Sequence, residues 1–160
     1  MRQIILILGL VLSSSFFNFE AQAQHTRRTN PNVFAVEGLG RGGLGSLQFD
    51  RVVSDDVSAG FGIGLLGSAG VSTFFSVPFF MNYYLNRDAR SFYVTGGATV
   101  SFGSGGLISS IGNFGSAVLP NFGLGYESRS DSGFLFRAAA YGMISTVFAP
   151  WFGFTFGYAI

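Results

Sequence analysis

Trp151-Phe-Gly-Phe-Thr-Phe-Gly-Tyr-Ala-Ile160 is the stretch on which the fold turns. Phe152, Phe154, Phe156, Tyr158 and Ile160 occupy every second position, with Gly153, Thr155, Gly157 and Ala159 between them. A period of two belongs to a β-strand, whose successive side chains point to opposite faces. A soluble strand alternates apolar with polar; this one alternates bulky aromatic with very small. One face is strongly apolar, and the other leaves room for a tightly curved interior. Those are the requirements of a small transmembrane barrel with lipid outside and a narrow lumen within. The last strand of a soluble lipocalin-like barrel, its aromatic face turned inward, would show the same pattern, and the rest of the chain decides between the two.

Composition favours the membrane. The 160 residues are 48% apolar and 17% aromatic but only 11% charged, with 24 Gly and 20 Phe. A soluble domain carries about a quarter charged residues, so a water-exposed surface of this kind would aggregate unless lipid covered it. All nine basic residues are Arg, and the net charge is +1. No basic stripe points to nucleic acid. Cysteine is absent, which excludes disulfides, a cysteine nucleophile and a cysteine metal site.

The N-terminus points to export. Met1-Arg2-Gln3 is a short positive start, Ile4–Leu12 an unbroken apolar run, and Ala21-Gln22-Ala23 presents small residues at signal-peptidase spacing. Residues 1–23 are expected to be a cleaved signal peptide. A retained helical anchor is disfavoured, because the apolar run is about half the ~20 residues a spanning helix needs. Residues 24–32, polar and containing Pro31, read as a short periplasmic leader, and residues 33–160 as the barrel.

Eight strand-like runs follow: Asn32–Leu39, Leu44–Val53, Val57–Leu66, Thr73–Leu85, Ser91–Phe102, Ala117–Ser128, Gly133–Ile144 and the closing stretch after Pro150. Gly, Asn, Asp and Pro occupy the intervening turns. The second, fourth and sixth connections are short and charged (around Asp55-Asp56, Asn86–Arg90 and Arg129–Ser132), while the others are Gly/Ser-rich or apolar, Gly103–Ser116 being the longest. This is the asymmetry of an outer-membrane barrel, with tight periplasmic turns and variable outer loops. In the third run Val57, Ala59, Phe61, Ile63 and Leu65 oppose Ser58, Gly60, Gly62 and Gly64; in the fifth, Phe92, Val94 and Val100 oppose Tyr93, Thr95 and Ser101. The fourth run is apolar on both faces, through Phe74, Phe75, Phe79 and Phe80. Pro78 and Pro120 fall inside strands, where each removes a ladder donor, and are expected to mark bulges or positions near an interface.

On Val36–Arg51, Val77–Leu85, Phe136-Arg137 and Pro150–Tyr158 the chain resembles the eight-stranded outer-membrane β-barrel proteins common in Bacteroidota. The resemblance implies fold and location, not an activity. The closing strand is also similar to the signal read by the barrel-assembly machinery, with Gly153, Phe156, Tyr158 and a final Ile160 in place of the commoner Phe.

Chemistry is sparse. The one histidine, His25, lies in the leader and reads as a solvated tail residue, which argues against a histidine base for lipid modification. The glycines of Gly38–Gly45 precede a strand rather than a helix, so they make a hairpin turn and not a phosphate loop. Alternation places Glu37, Gln48, Asp50, Asn82, Asn121, Glu127 and Arg137 on the lumen side. A buried Arg needs carboxylates around it, so Arg137 is expected at the centre of one network with Glu127, Glu37 and Asp50. A turn centred near Ser130-Asp131 sets Glu127 opposite Phe134 or Leu135, with Arg137 diagonal to it. Arg51 falls on the lipid face, near the periplasmic end where it can snorkel. The expectation is an eight-stranded, antiparallel, up-and-down transmembrane β-barrel of a bacterial outer membrane. It has no cofactor, metal or catalytic residues, and its partners are membrane lipid, the assembly machinery and an unidentified extracellular ligand. A narrow channel for small solutes is the alternative function, and a lipid-modifying enzyme a more distant one.

Overall fold

A computed structural model describes Arg27 and residues 29–68, 72–102, 116–144 and 148–160. The expected signal peptide, His25 and the connections at 69–71, 103–115 and 145–147 lie outside the described residues. Eight strands run β1 (Asn32–Gly40), β2 (Gly43–Ser54), β3 (Val57–Ser68), β4 (Ser72–Tyr84), β5 (Arg90–Phe102), β6 (Ser116–Arg129), β7 (Phe134–Ile144) and β8 (Phe148–Ala159). Each pairs antiparallel with the next, and β1 pairs with β8, so the sheet closes into a barrel. Closure continues past the last strand: Asn32 and Ile160 exchange backbone hydrogen bonds of 3.2 and 2.8 Å. No sheet edge is left over at that end, which is what backbone in hydrocarbon requires.

The faces divide as the alternation dictates. Phe152, Phe154, Phe156 and Tyr158 point outward, while Thr155 and Ala159 are buried in the lumen. Phe61 and Val94 face out; Gly62 and Thr95 face in. Neighbouring aromatics on the outer surface pack with tilted rings: Phe34 on Phe49 at 5.1 Å, Phe49 on Phe61 at 5.9 Å, and Phe136 on Phe156 at 5.3 Å between centroids. Among the described strand residues the outward charges are Arg51 and Arg90, both beside the short turns. An apolar exterior around a polar interior is the reverse of a soluble barrel. The molecule is a transmembrane β-barrel.

Neither internal proline shifts the register. On β4, Pro78 pairs with Thr99 of β5, and the β3–β4 ladder keeps one register on both sides of it, from Phe61↔Phe79 to Gly64↔Ser76. Those two pairs enclose a gap at Pro78 where a bond donor is missing. Pro120 pairs with Ala98 of β5, and the β6–β7 ladder begins one residue later, at Asn121↔Met143. Each proline thus lies where the ladder to one neighbouring strand is interrupted or has not begun. The β2–β3 ladder does shift, at Val52/Ser54, beside the Asp55-Asp56 turn.

The β6–β7 hairpin departs from expectation. Arg129 pairs with Leu135, so Glu127 stands directly opposite Arg137 rather than diagonal to it. Gly133 takes φ +91 and its N–H bonds the Ser130 carbonyl at 3.0 Å, which centres the turn later in the chain. Only glycine adopts that backbone without strain. Strand β8 also begins earlier than expected and includes Pro150, opposite Gly142.

The first hairpin is short. Its ladders reach Gly38↔Phe154 on β8 and Gly45↔Leu65 on β3, whereas β8 and β3 run on beyond those residues. Above this level Leu39 takes φ 54 and Gly43 φ 99. The left-handed turn at Leu39, costing about 1–2 kcal/mol for a non-glycine residue, reverses the alternation, so Leu39 and Leu44 face outward while Gly40, Arg41 and Gly42 are buried. The tip of the hairpin folds into the barrel.

Candidate functional site: a charged and occluded lumen

The lumen is lined in two tiers. The first lies toward the short-turn end and centres on Arg137. Its Nε donates to Glu127 Oε2 at 2.7 Å, its Nη2 lies 2.6 Å from Asp50 Oδ2, and the same Nη2 donates to the Tyr84 hydroxyl at 3.0 Å. Tyr84 in turn donates to Glu127 Oε2 at 2.8 Å. Ser58 lies 3.4 Å from that hydroxyl and accepts from Asn82 Nδ2 at 3.1 Å. Arg137, Glu127 and Asp50 are each no more than 1% exposed. Two carboxylates on one guanidinium offset the cost of burying it, and the fork of the guanidinium suits such shared pairing.

Two further arginines enter this tier. Arg27 of the leader brings Nη2 to 3.3 Å from Glu127 Oε1, donates from Nη1 to the Asn86 carbonyl at 3.2 Å, and stacks over the Tyr84 ring at 4.0 Å. Arg129, at the end of β6, holds Nε 3.6 Å from the same Glu127 oxygen and donates from Nη1 to the Asn30 carbonyl at 3.3 Å. Arg27 and Asn30 of the leader thus lie at the barrel mouth. Val33, Ala35, Leu135 and Ala159 form an apolar cluster on the lumen wall at this end.

The second tier is built on the inturned hairpin tip. Arg41 donates from Nη2 to the Tyr141 hydroxyl at 2.9 Å and from Nη1 to Thr95 Oγ1 at 3.2 Å, with Nε 3.7 Å from Glu37 Oε1. Its guanidinium lies 3.9 Å over the Phe80 ring, which explains an aromatic on the lumen face of β4. Glu37 accepts from Tyr141 at 2.9 Å and from Gln48 Nε2 at 2.6 Å. The backbone of the tip is also held: Thr99 Oγ1 donates to the Arg41 carbonyl at 2.9 Å and Ser76 Oγ to the Gly42 carbonyl at 2.6 Å. Asn121 joins through Thr99, at 3.1 Å.

Glycines make room for this contents. A Cβ at Gly60 would lie 2.6 Å from Phe80 Cζ, and one at Gly153 would lie 2.6 Å from Gly40 Cα. Large lumen side chains therefore sit beside positions without one.

All seven residues read from alternation as lumen-facing, Glu37, Gln48, Asp50, Asn82, Asn121, Glu127 and Arg137, are buried inside. They do not form one network. Asp50 and Glu127 meet Arg137, but Glu37 belongs with Arg41, because the tip delivers a second guanidinium before Arg137 could reach it. Sequence reading missed Arg41, Arg27, Arg129, Tyr84 and Tyr141. Parity carried a signal for three of them: Tyr84 follows Asn82, Arg129 follows Glu127, and Tyr141 shares the face of Arg137. Arg41 and Arg27 lie in a turn and a leader, where alternation gives no guidance.

No family model matches the chain, and no curated protein matches it. Among solved structures it is similar to the N-terminal β-barrel domain of Pseudomonas aeruginosa OprF, at TM-score 0.62 and 14% identity over 82% of this chain and 99% of that one. It also matches the Yersinia pestis outer membrane protein Ail in a phospholipid bilayer nanodisc, at TM-score 0.48 and 15% identity over 81% and 99%. The chain has the fold of the eight-stranded outer-membrane β-barrels.

Proposed function

We propose that this protein is a closed, non-enzymatic barrel of a bacterial outer membrane, of the type common in Bacteroidota, with a structural or surface-interaction role. The observation that carries this reading is the occluded lumen. Arg137 with Glu127 and Asp50 closes one level, and the inturned tip, pinned through Arg41 and Gly42, closes the other. Eight strands enclose only enough space for side chains, and here those side chains bond one another. A solute path would require two sets of buried ion pairs to separate, at several kcal/mol each.

The lumen groups are ion-paired and stacked among themselves, an arrangement suited to filling space rather than to activating a substrate. Membrane lipid is the partner of the outer face, and an extracellular ligand would be met by the connections opposite the short turns. Gly153, Phe156, Tyr158 and Ile160 are proposed as the assembly signal; Phe156, Tyr158 and Ile160 point outward from the closing strand, where a partner strand or chaperone can read them.

Reconstitution into planar bilayers tests the reading. Purified barrel should insert without giving discrete conductance steps. Reproducible steps scaling with salt concentration would overturn it in favour of a narrow channel, and turnover of lipid A would overturn it in favour of an enzyme.

A further inference from the structure

The two tiers differ in charge. In the hairpin-tip tier Arg41 faces Glu37, one cation to one anion. At the other tier Arg27, Arg129 and Arg137 lie within ion-pair distance of Glu127 and Asp50, three cations to two anions in contact among the described residues, with Asp56 attracting Arg27 only from longer range. Arg137 is satisfied by both carboxylates and Tyr84. The surplus therefore falls on Arg27 and Arg129, which share the single oxygen Glu127 Oε1 at 3.3 and 3.6 Å.

Both surplus cations are nine-tenths buried or more, at 2% and 3% exposed. Three of their donors have no hydrogen-bond acceptor: Arg27 Nε, Arg129 Nε and Arg129 Nη2. A guanidinium withdrawn from water with open donors is unfavourable unless an anion or acceptor meets it. The two groups come from independent segments, β6 and the leader, yet converge on one point. Two leader residues are also tied to the mouth, Asn30 through its carbonyl on Arg129 and Arg27 through the Asn86 carbonyl.

We propose that Arg27 and Arg129 form a binding site for one small oxyanion of the phosphate class, entered from the short-turn end. A tetrahedral oxyanion offers several acceptor oxygens to two guanidinium forks, which is the geometry that Arg serves best. The anion neutralises the surplus charge beside Glu127, so occupancy ties Arg27 to the barrel mouth. Either free phosphate or a lipid phosphate group presents this chemistry.

The test uses the full mature chain in detergent, with inorganic phosphate added at constant ionic strength and chloride as the matched control. Phosphate should raise the thermal unfolding midpoint saturably, and chloride should not. Arg129→Gln and Arg27→Gln should each abolish most of the phosphate shift, while Arg87→Gln, in an exposed turn, should retain it. Because Arg129 carries surplus charge, Arg129→Gln should still fold and migrate faster on a gel unheated than boiled, as a closed barrel does. Failure of that variant to fold would overturn the proposal, as it would mean that Arg129 is needed to balance charge. An equal response to phosphate and chloride, or an undiminished shift in both lumen variants, would also overturn it. Vesicles of phosphatidylcholine and of phosphatidate separate the two sources. Protection by phosphatidate without added phosphate assigns the site to a lipid headgroup; protection only by added phosphate assigns it to the free anion.

Discussion

At the scale of single residues, Arg137 is the group on which the lumen depends most. It holds Glu127 at 2.7 Å and Asp50 at 2.6 Å, and nothing else described reaches Asp50. Arg137→Met would leave Asp50 buried without its cation and Glu127 without its nearest one, and should lower stability by about 3–5 kcal/mol. Adding Asp50→Asn should recover part of the loss, so that the double-mutant cycle is non-additive. Glu37→Gln combined with Arg137→Met should instead be additive, since Glu37 spends its bonds on Arg41, Tyr141 and Gln48. Urea midpoints of the single and double variants check both statements. An unchanged midpoint in Arg137→Met would remove the network from the account. A second residue-scale effect lies outside the membrane. Arg87 bonds Asp56 at 2.8 and 2.9 Å across two short turns, and this hydrogen bond, ahead of the charge attraction, holds the Asp56 pKa below the ordinary carboxylate value. A depressed folded-state pKa gives stability that is present above the unfolded value and lost as pH falls through the folded one. Solvent keeps the contribution small. Arg87→Gln should flatten the acid side of the stability profile, as read by unfolding midpoints across mildly to strongly acid pH; an identical profile would contradict the pairing.

Among elements, the β1–β2 hairpin is the one that departs from a regular barrel. Its tip turns inward at Leu39 and Gly43 and rests against Gly153 of β8, where a Cβ would fall 2.6 Å from Gly40 Cα and 3.1 Å from Tyr141 Cε2. A backbone atom cannot rotate aside as a side chain can, so Gly153→Val should drive the tip out of the lumen. Arg41, 1% exposed in the native barrel, should then become a trypsin site for enzyme added at the hairpin-tip end, while the native protein resists cleavage there. Cleavage at equal rates in both proteins would contradict the inturned tip. This hairpin also marks the limit of what the sequence made legible. Strand number, order and the inward residues of regular strands follow from alternation, because a period of two is a rigid consequence of the pleat. Glu127 and Arg137 were readable as inward, but their direct pairing depended on the φ of Gly133, which alternation does not report. The tip escaped altogether: a Gly-Arg-Gly-Gly turn looks the same in sequence whether it projects outward or folds in. Arg27 escaped for a related reason, since a leader without periodicity gives no face to assign.

At the scale of the whole molecule the barrel is inside out relative to a soluble protein. Its charges are drawn inward to meet one another, and its aromatics outward to meet lipid. An outward position such as Val94, 42% exposed and away from both ends of β5, should therefore reject charge. Val94→Arg is expected to cost about 2–4 kcal/mol at mid-membrane, seen as a lowered unfolding midpoint in vesicles. Arg51, beside the turn, is tolerated because its head reaches the interface.

The most direct test of this inside-out arrangement compares neighbours on β5. Single cysteines at positions 94 and 95, labelled with a fluorophore in lipid vesicles, should respond oppositely to quenchers. The label at 94 should be quenched by lipid-borne nitroxide, and the label at 95, on the side where Thr95 meets Arg41 at 3.2 Å, should not. Quenching at 95 without quenching at 94 would place the lumen face in lipid and contradict the structure as described.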